Sequence, residues 1–138
     1  MRKTKSIMND KIRTIRSDIM KLCTFTVPGR AIPAVRMTQR SKFTKQAKRY
    51  LAYKNRVAWI ARSKYKKKPA SSDVKVEVDI YLRGGVQGDI DNYFKAITDS
   101  LNKIVYEDDR QVKEMIARKI DCESKDDERV EVEVYKLY

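Results

Sequence analysis

The strongest constraint on the fold is a strict alternation of apolar and polar residues between positions 74 and 82. The apolar positions are Val74, Val76, Val78, Ile80 and Leu82, with Lys, Glu, Asp and Tyr between them. Because successive side chains of a β-strand point to opposite faces, this pattern predicts a strand with one buried face. A turn at Gly84-Gly85 ends it. The chain must therefore build a sheet that is covered on one side.

Further strand and helix signals flank this segment. Alternation over residues 23–27 predicts a strand that ends at Pro28-Gly29, followed by a basic loop over 30–40. Helical spacing predicts a long basic helix that runs from Ser41, its N-cap, to Lys64. Its expected apolar face consists of Phe43, Ala47, Tyr50, Leu51, Val57, Ala58 and Ala61. A shorter helix is predicted from near Asp91 to Ile104.

Two strand-like runs, roughly 111–122 and 129–137, close the sequence, and we expect them to form an antiparallel hairpin. The predicted fold class is α+β, a single domain with a small mixed sheet, a long basic helix, a short helix and a C-terminal β-hairpin. At 138 residues the chain has room for one hydrophobic core.

The first 21 residues are predicted to be a basic amphipathic extension to a main domain at residues 22–138. Met8, Ile12, Ile15 and Ile19 recur at helical spacing, with Lys and Arg between them. This segment lacks the apolar core and cleavage site of a secretory signal, and no run approaches the ~20 apolar residues of a membrane span. We therefore expect a cytoplasmic protein with no membrane partner.

The charge is strongly asymmetric along the chain. Residues 1–68 contain 21 Lys or Arg and two acids, whereas residues 69–138 contain 11 and 17, within a net charge of +13. A basic half of this strength is typical of a polyanion binder, because Lys and Arg release counterions from phosphates. Nucleic acid is the favoured partner. Well-solvated Lys-rich helices, or a membrane surface, are the alternatives.

The absence of histidine restricts the chemistry. Without His, Ser-His and Cys-His nucleophile systems and His-ligated zinc are excluded. Cys23 and Cys122 lie far apart and form no C-x-x-C spacing, which argues against a thiolate zinc site or a redox pair. Any catalysis must use carboxylates, Lys or Tyr.

A constellation of acids follows the glycine turn. Asp89 and Asp91 are two positions apart, and Asp108 and Asp109 follow the predicted short helix. Carboxylates from these two stretches could share one hard cation such as Mg²⁺, which prefers oxygen ligands. Lys95 lies one helical turn after Asp91 and could contact a scissile phosphate.

Each element also has a purely structural explanation. Asp91 could be only the N-cap of the helix, with Asp91 and Lys95 forming an ordinary i, i+4 ion pair. Asp108 and Asp109 could simply form a turn, and Asp99 fits a surface salt-bridge partner of Lys95 better than a ligand. An EF-hand is excluded because Tyr93 and Phe94 occupy the positions that need an oxygen ligand and a glycine.

Two runs in this region resemble a known family. Gly-Asp-Ile-Asp-Asn-x-x-Lys-Ala-x-x-Asp-x-Leu, at residues 88–101, and Val-Tyr-Glu-Asp-Asp-x-Gln-Val, at residues 105–112, are similar to the RusA family of Holliday-junction resolvases. Phe-Thr-Val-Pro-Gly-Arg at residues 25–30 resembles the opening strand of that family. The resemblance covers roughly residues 22–137, whereas the N-terminal extension departs from it and leaves the dimer geometry open.

The resemblance implies a function and a set of site residues. It assigns Mg²⁺ binding to Asp89, Asp91 and Asp109, with Asp108 a weaker candidate and Mn²⁺ a substitute ion, and makes Lys95 necessary for cleavage. No small-molecule cofactor is expected. It further implies a homodimer that cuts four-way DNA junctions by paired symmetric nicks with 5′-phosphate products, in DNA recombination and repair. A bacterial or phage origin and a nucleoid location follow.

Basic residues of the front half are candidates for contacts with the DNA backbone. They are Arg30, Arg36, Arg40, Lys42, Lys45, Lys48 and Arg49. Two competing functions stay open at this point. One is a non-catalytic nucleic-acid-binding protein, such as a phage regulator, whose carboxylates are structural. The other is a structural subunit that docks a partner through residues 2–20.

Overall fold

The computed structural model describes residues 21–40 and 43–137, which form four strands and two α-helices. In chain order they are β1 (Lys21–Pro28), α1 (Lys45–Lys64), β2 (Val74–Leu82), α2 (Ile90–Ser100), β3 (Val112–Asp121) and β4 (Arg129–Lys136). Short 3₁₀ turns cover Asp109–Gln111 and Lys125–Asp127. The helix predicted for residues 2–20 lies outside the described residues. The division into an extension and a main domain therefore stays a prediction.

The sheet is mixed and has the order β1-β4-β2-β3. β4 pairs antiparallel with both β1 and β2, and β3 pairs parallel with β2. The α+β fold class is confirmed, but the predicted C-terminal hairpin is wrong because β2 lies between β3 and β4. The physical reason is the helix between β2 and β3. A helical crossover places the following strand parallel to the preceding one, so only the other edge of β2 remains for β4.

The alternation in β2 builds the core. Val76, Val78 and Ile80 are fully buried beneath the helices, while Lys75, Asp79 and Tyr81 on the opposite side are partly exposed. Helix α1 buries Ala47, Tyr50, Tyr53, Val57 and Ala61, and α2 packs beside it. Both helices therefore cover one face of the sheet, as the strand pattern predicts.

Helix α1 begins later than predicted. Its N-cap is Thr44 rather than Ser41, because the Thr44 hydroxyl accepts the Ala47 backbone N–H at 3.1 Å and so satisfies a free donor of the first turn. Phe43 therefore precedes the helix, and its side chain is 70% exposed. Leu51, turned by about 100° from Tyr50, is also exposed. Neither residue belongs to the buried face.

Helix α2 ends at Ser100, earlier than predicted. The chain then turns through Lys103, which has a positive φ of 66°, and Ile104 is buried in that turn. The N-cap of α2 is Asp89, so Asp91 lies in the first turn instead of capping the helix.

Both cysteines are free thiols, Cys23 buried and Cys122 partly buried. Burial raises the pKa of the Cys23 thiol to about 11, which keeps it protonated and unreactive near neutrality. Within residues 21–40 and 43–137, no helix combines the length and the apolar character that crossing a bilayer would require.

Candidate active site

The loop before α2 is held close to the rest of the domain. The backbone N–H of Gly88 donates to the Tyr93 hydroxyl at 3.0 Å. A Cβ at position 88 would lie 2.8 Å from Pro33 Cγ, closer than carbon atoms pack. The backbone N–H of Ala34 donates to the Asn92 carbonyl at 2.9 Å. The glycine therefore allows the loop to pack directly against residues 33–34.

Asp89 and Asp91 are presented at the start of α2, and both are exposed. An aspartate at an N-cap ordinarily accepts a backbone N–H of the first turn, but the Asp89 side chain makes no such bond. Asp91 accepts the N–H of the adjacent Asn92 at 3.0 Å and no other hydrogen bond from the residues that the structure describes. Both carboxylates therefore keep oxygen atoms available to a ligand.

Lys95 lies one turn further along α2 and forms an ion pair with Asp99. Its Nζ is 3.6 Å from Asp99 Oδ2, and the lysine side chain is 64% exposed. The prediction that Asp99 is a salt-bridge partner of Lys95 is confirmed. The alternative pairing of Lys95 with Asp91 is not formed among the described residues. Asp91, Lys95 and Asp99 are spaced four residues apart, so they lie along a single face of the helix.

The turn after α2 is fixed by a reciprocal cap. Asp108 accepts the backbone N–H of Arg110 at 2.9 Å, and the Asp108 N–H donates to the Gln111 side chain at 2.9 Å. Gln111 also donates to the carbonyls of Ala70 and Ser72, at 2.7 and 2.8 Å. Mainly because of the bond from Arg110, the pKa of Asp108 is lowered. The Asp108 carboxylate therefore caps the turn, and the carboxylate of Asp109 takes no part in this cap.

Asp109 meets Asp99. Burial first, and then hydrogen bonds with Asp99 and Asp108, raise the pKa of the Asp109 carboxyl. Repulsion from the same two acids adds to the effect. The chain therefore brings together carboxyl groups from α2 and from the following turn, and their mutual repulsion makes the cluster receptive to a cation.

Two tyrosines support this cluster. Burial, repulsion by Asp99 and a hydrogen bond with Asp99 raise the pKa of Tyr50 to about 12. Tyr106 is fully buried, and its hydroxyl donates to the Thr98 carbonyl at 2.7 Å. Burial, with repulsion from Asp109 as the next cause, raises its pKa as well. Both phenols are therefore neutral hydrogen-bonding groups at physiological pH.

The acids are not gathered around one point. Among residues 21–40 and 43–137, no group of three or more His, Cys, Asp or Glu side chains is placed to hold one metal ion. Asp99 lies eight residues, about 12 Å along the helix axis, from Asp91. The donors are all carboxylate oxygens, the ligand type that Mg²⁺ selects, so the residue types fit this ion. The Asp89 and Asp91 carboxylates lie at the opposite end of α2 from Asp99.

Arg30 ties the glycine loop to the rest of the domain. It forms an ion pair with Glu128, whose carboxylate also accepts the Arg83 N–H at 3.0 Å. The Arg30 guanidinium donates in addition to the carbonyls of Gly84 and Val86, at 3.0 and 3.1 Å. Arg30 therefore fixes the chain that leads to Asp89, whatever contact it makes with DNA.

The other predicted DNA contacts lie on an acid-free stretch of the chain. Residues 19–72 contain no Asp or Glu. Those candidates that the structure describes are all exposed. They are Arg36, Arg40, Lys45, Lys48 and Arg49. Lys42 is outside the described residues. The start of α1 therefore offers exposed positive charge beside α2.

An acid-free basic helix packs beside a helix that carries exposed carboxylates and a lysine, residue types that suit a protein acting on a phosphodiester backbone. A family model described as Endodeoxyribonuclease RusA matches residues 28–135, most of the chain. The chain belongs to this RusA family of endodeoxyribonucleases, the Holliday-junction resolvases, and the resemblance predicted from the motifs is confirmed. Comparison with curated protein sequences gives no match.

The sequence pattern indicates only part of the role of Asp99 and does not single out Glu128. Spacing predicts Asp99 as a surface partner of Lys95, yet Asp99 also raises the pKa of the Asp109 carboxyl. The repeat of an acid eight positions after Asp91 was the available signal, since such residues share a helix face. Glu128, only 4% exposed, is indistinguishable in sequence from the acids that precede it.

Proposed function

We propose that this protein is a Mg²⁺-dependent endodeoxyribonuclease that resolves four-way DNA junctions. Membership of the RusA family supports nuclease activity on junctions. The observation that carries the residue assignment is the continuous row of Asp91, Lys95 and Asp99 along α2, with repulsion between Asp99 and Asp109 at its far end. The side chain of Asp89, the N-cap residue, accepts no backbone N–H of the first turn.

Asp89, Asp91 and Asp109 would hold the ion, with Asp108 less suited because its carboxylate caps the turn. Mg²⁺ bound there would lower the pKa of a water molecule and neutralise charge on the attacked phosphate. Mn²⁺ is expected to substitute, since it also prefers oxygen ligands.

Lys95 would supply a fixed positive charge at the scissile phosphate. Its ammonium is exposed, so it can reach a bound strand, and the pair with Asp99 restricts the directions it samples. A charge aimed at the developing negative charge lowers the barrier without reorganisation. Asp99 then acts as a positioning residue for Lys95.

The exposed side chains of Arg36, Arg40, Lys45 and Lys48 would position the DNA backbone, through contacts that carry no sequence information. A four-way junction has approximate two-fold symmetry, and paired nicks need two sites. A homodimer with isologous contacts would present them in matching orientation.

The decisive experiment compares cleavage of a synthetic four-way junction by the wild type and by Asp91→Asn, with and without Mg²⁺. We expect paired nicks with 5′-phosphate ends from the wild type in Mg²⁺ only. Asp91→Asn should lose cleavage but bind the junction as tightly or more tightly, because a negative charge near the phosphate is removed. Asp121→Asn, an exposed aspartate at the end of β3, is the matched control and should cleave normally.

If the wild type binds junctions but never nicks them in Mg²⁺ or Mn²⁺, the proposal fails and the non-catalytic binding protein becomes the better explanation. Mn²⁺ binding, followed by electron paramagnetic resonance, gives a readout independent of turnover. It should weaken in Asp89→Asn and Asp109→Asn and stay unchanged in Asp121→Asn.

A further inference from the structure

A groove lies directly beside the start of α2. It has a volume of about 420 Å³ and is bounded by the chain after β1, the start of α1 and the loop before α2. This volume is within the ~300–1,000 Å³ range of sites that hold small organic ligands. The side chains that matter for its chemistry are Ile32, Pro33, Val35, Gln46, Arg49 and Gln87.

The walls combine a flat apolar surface with amide groups. Ile32, Pro33 and Val35 form the apolar part. Gln46 and Gln87 each bring a donor and an acceptor, and Arg49 adds a guanidinium fork. Neither Gln46 nor Arg49 has a hydrogen-bond or ion-pair partner in the part of the chain that the structure describes, and both are exposed. Gln46 and Arg49 are therefore available to a ligand.

This chemistry suits a nucleobase better than a phosphate. A phosphate needs several cations or N–H donors. The groove is lined by two guanidiniums, but that of Arg30 is already bound to Glu128 and to the Gly84 and Val86 carbonyls, which leaves Arg49 and an apolar surface for a ligand. A base needs an apolar surface for its ring and paired donors and acceptors for its edge, which Gln and Arg supply to adenine and guanine.

The position of the groove relates it to cleavage. Gln87 and Gly88 form part of its wall and immediately precede Asp89, with consecutive Cα atoms 3.8 Å apart. Gly88 is held in this wall by its hydrogen bond to the Tyr93 hydroxyl and by its close packing against Pro33. A nucleotide whose phosphate lies at Asp89 and Asp91 therefore has its neighbour within reach of the groove.

We propose that the groove holds one unstacked nucleobase of the cleaved strand, adjacent to the scissile phosphate, and selects the sequence at which the strand is cut. This inference rests on the proposed nuclease function, because it places the phosphate at the aspartates. Where the arms of a junction are unstacked, the bases at the branch point lack one stacking neighbour, so withdrawing one of them costs less than in a duplex.

The test uses four-way junctions that carry 2-aminopurine, a base whose fluorescence rises on unstacking, at one position next to the branch. The probe is bound to the full chain in Ca²⁺, so that binding is read without turnover. We expect fluorescence to rise several-fold at one position with the wild type. Gln46→Trp, which fills the groove, should abolish the rise while binding persists. Asn55→Ala, which removes an exposed amide elsewhere on α1, should retain it.

No rise at any position, or an equal rise with Gln46→Trp, would overturn the inference and leave the nuclease proposal untouched. Cleavage in Mg²⁺ gives the second readout, with each of the four bases placed at the responsive position. The wild type should discriminate among them by about five- to 150-fold, the range of one bidentate base contact. Gln46→Ala should bring the four rates together. Equal rates for all four bases with the wild type would count against the groove, whereas absence of cleavage on every junction would count against the nuclease.

Discussion

Arg30 and Glu128 form an ion pair across 98 positions of sequence, joining the chain after β1 to the turn before β4. Glu128 is 4% exposed, and its carboxylate receives both the Arg30 guanidinium and the Arg83 N–H. The same guanidinium holds the Gly84 and Val86 carbonyls. One buried acid therefore controls the geometry of the loop that ends at Asp89.

Replacing Glu128 should reveal that its contribution to the free energy of unfolding depends on pH. The hydrogen bond from Arg83, followed by the interactions with Arg30, lowers the pKa of Glu128 below its ordinary 4.5. An acid with a lowered pKa stabilises the fold fully above its ordinary pKa and loses that effect as pH falls through the folded-state pKa. Glu128→Gln should cost about 2 kcal/mol at pH 7, roughly 6 °C in Tm. The Tm difference from the wild type should shrink below about pH 4.5.

Glu123→Gln is the control for that experiment, since Glu123 is exposed in the turn after β3, and it should leave Tm unchanged at every pH. A Tm difference for Glu128→Gln that is equal at pH 7 and well below pH 4 would show that the carboxylate charge does not stabilise the fold.

Removing the Lys95 charge should affect cleavage far more than binding. Loss of one preorganised donor to a transition state costs about 10²- to 10³-fold in rate. One exposed charge contributes at most about 1 kcal/mol to affinity, or about fivefold. Single-turnover cleavage and a separate binding titration of Lys95→Ala measure the two effects. Lys95→Arg should recover part of the rate, and Lys113→Ala, at the start of β3, should match the wild type. A Lys95→Ala protein with undiminished cleavage would remove this lysine from the mechanism.

Adding a methyl group at Gly88 should destabilise the domain through Pro33. The new Cβ would lie 2.8 and 2.9 Å from the Pro33 Cγ and Cβ atoms, and overpacking of this kind costs about 1–3 kcal/mol. The loss should be smaller in a Pro33→Gly background, because the clashing atoms are gone, and urea denaturation of the four proteins of this double-mutant cycle measures it. Equal losses in both backgrounds would mean that the two residues do not interact.

The affinity for DNA should depend steeply on salt, and Lys48 should account for a defined part of the slope. If Lys48 neutralises one phosphate, Lys48→Ala should reduce the slope of log K against log salt by about one. Lys125→Ala, in the turn before β4, should leave the slope unchanged. Identical slopes for the wild type and Lys48→Ala would place this part of α1 outside the DNA path.

Local patterns predicted the elements but not all of their pairings. The alternation in residues 74–82 identifies β2 and its buried face, because strand periodicity is a property of neighbouring residues. Nothing within residues 112–136 shows that β2 will separate β3 from β4, since strand partners are chosen by the crossover through α2. The start of α1 was misplaced because Ser41 and Thr44 are both good N-caps.

The candidate site was predictable to a similar extent. Asp89, Asp91 and Lys95 are close in sequence, so spacing alone places them at one end of one helix. The contact between Asp99 and Asp109 depends on how the chain returns after α2, which spacing does not specify. Likewise, its basic surroundings make Arg30 a candidate for a DNA contact. Its pairing with Glu128 depends on which of several consecutive acids is buried, and the sequence does not show this.

The central place of β4 in the sheet bears on how the protein matures in the cell. While residues 129–136 are still inside the ribosomal tunnel, β1 has no hydrogen-bonding neighbour and β2 has one open edge. The Arg30 partner at position 128 is absent as well. A nascent chain thus exposes its positively charged segments before the loop that leads to Asp89 is held in place, and the sheet is completed only after β4 has left the ribosome.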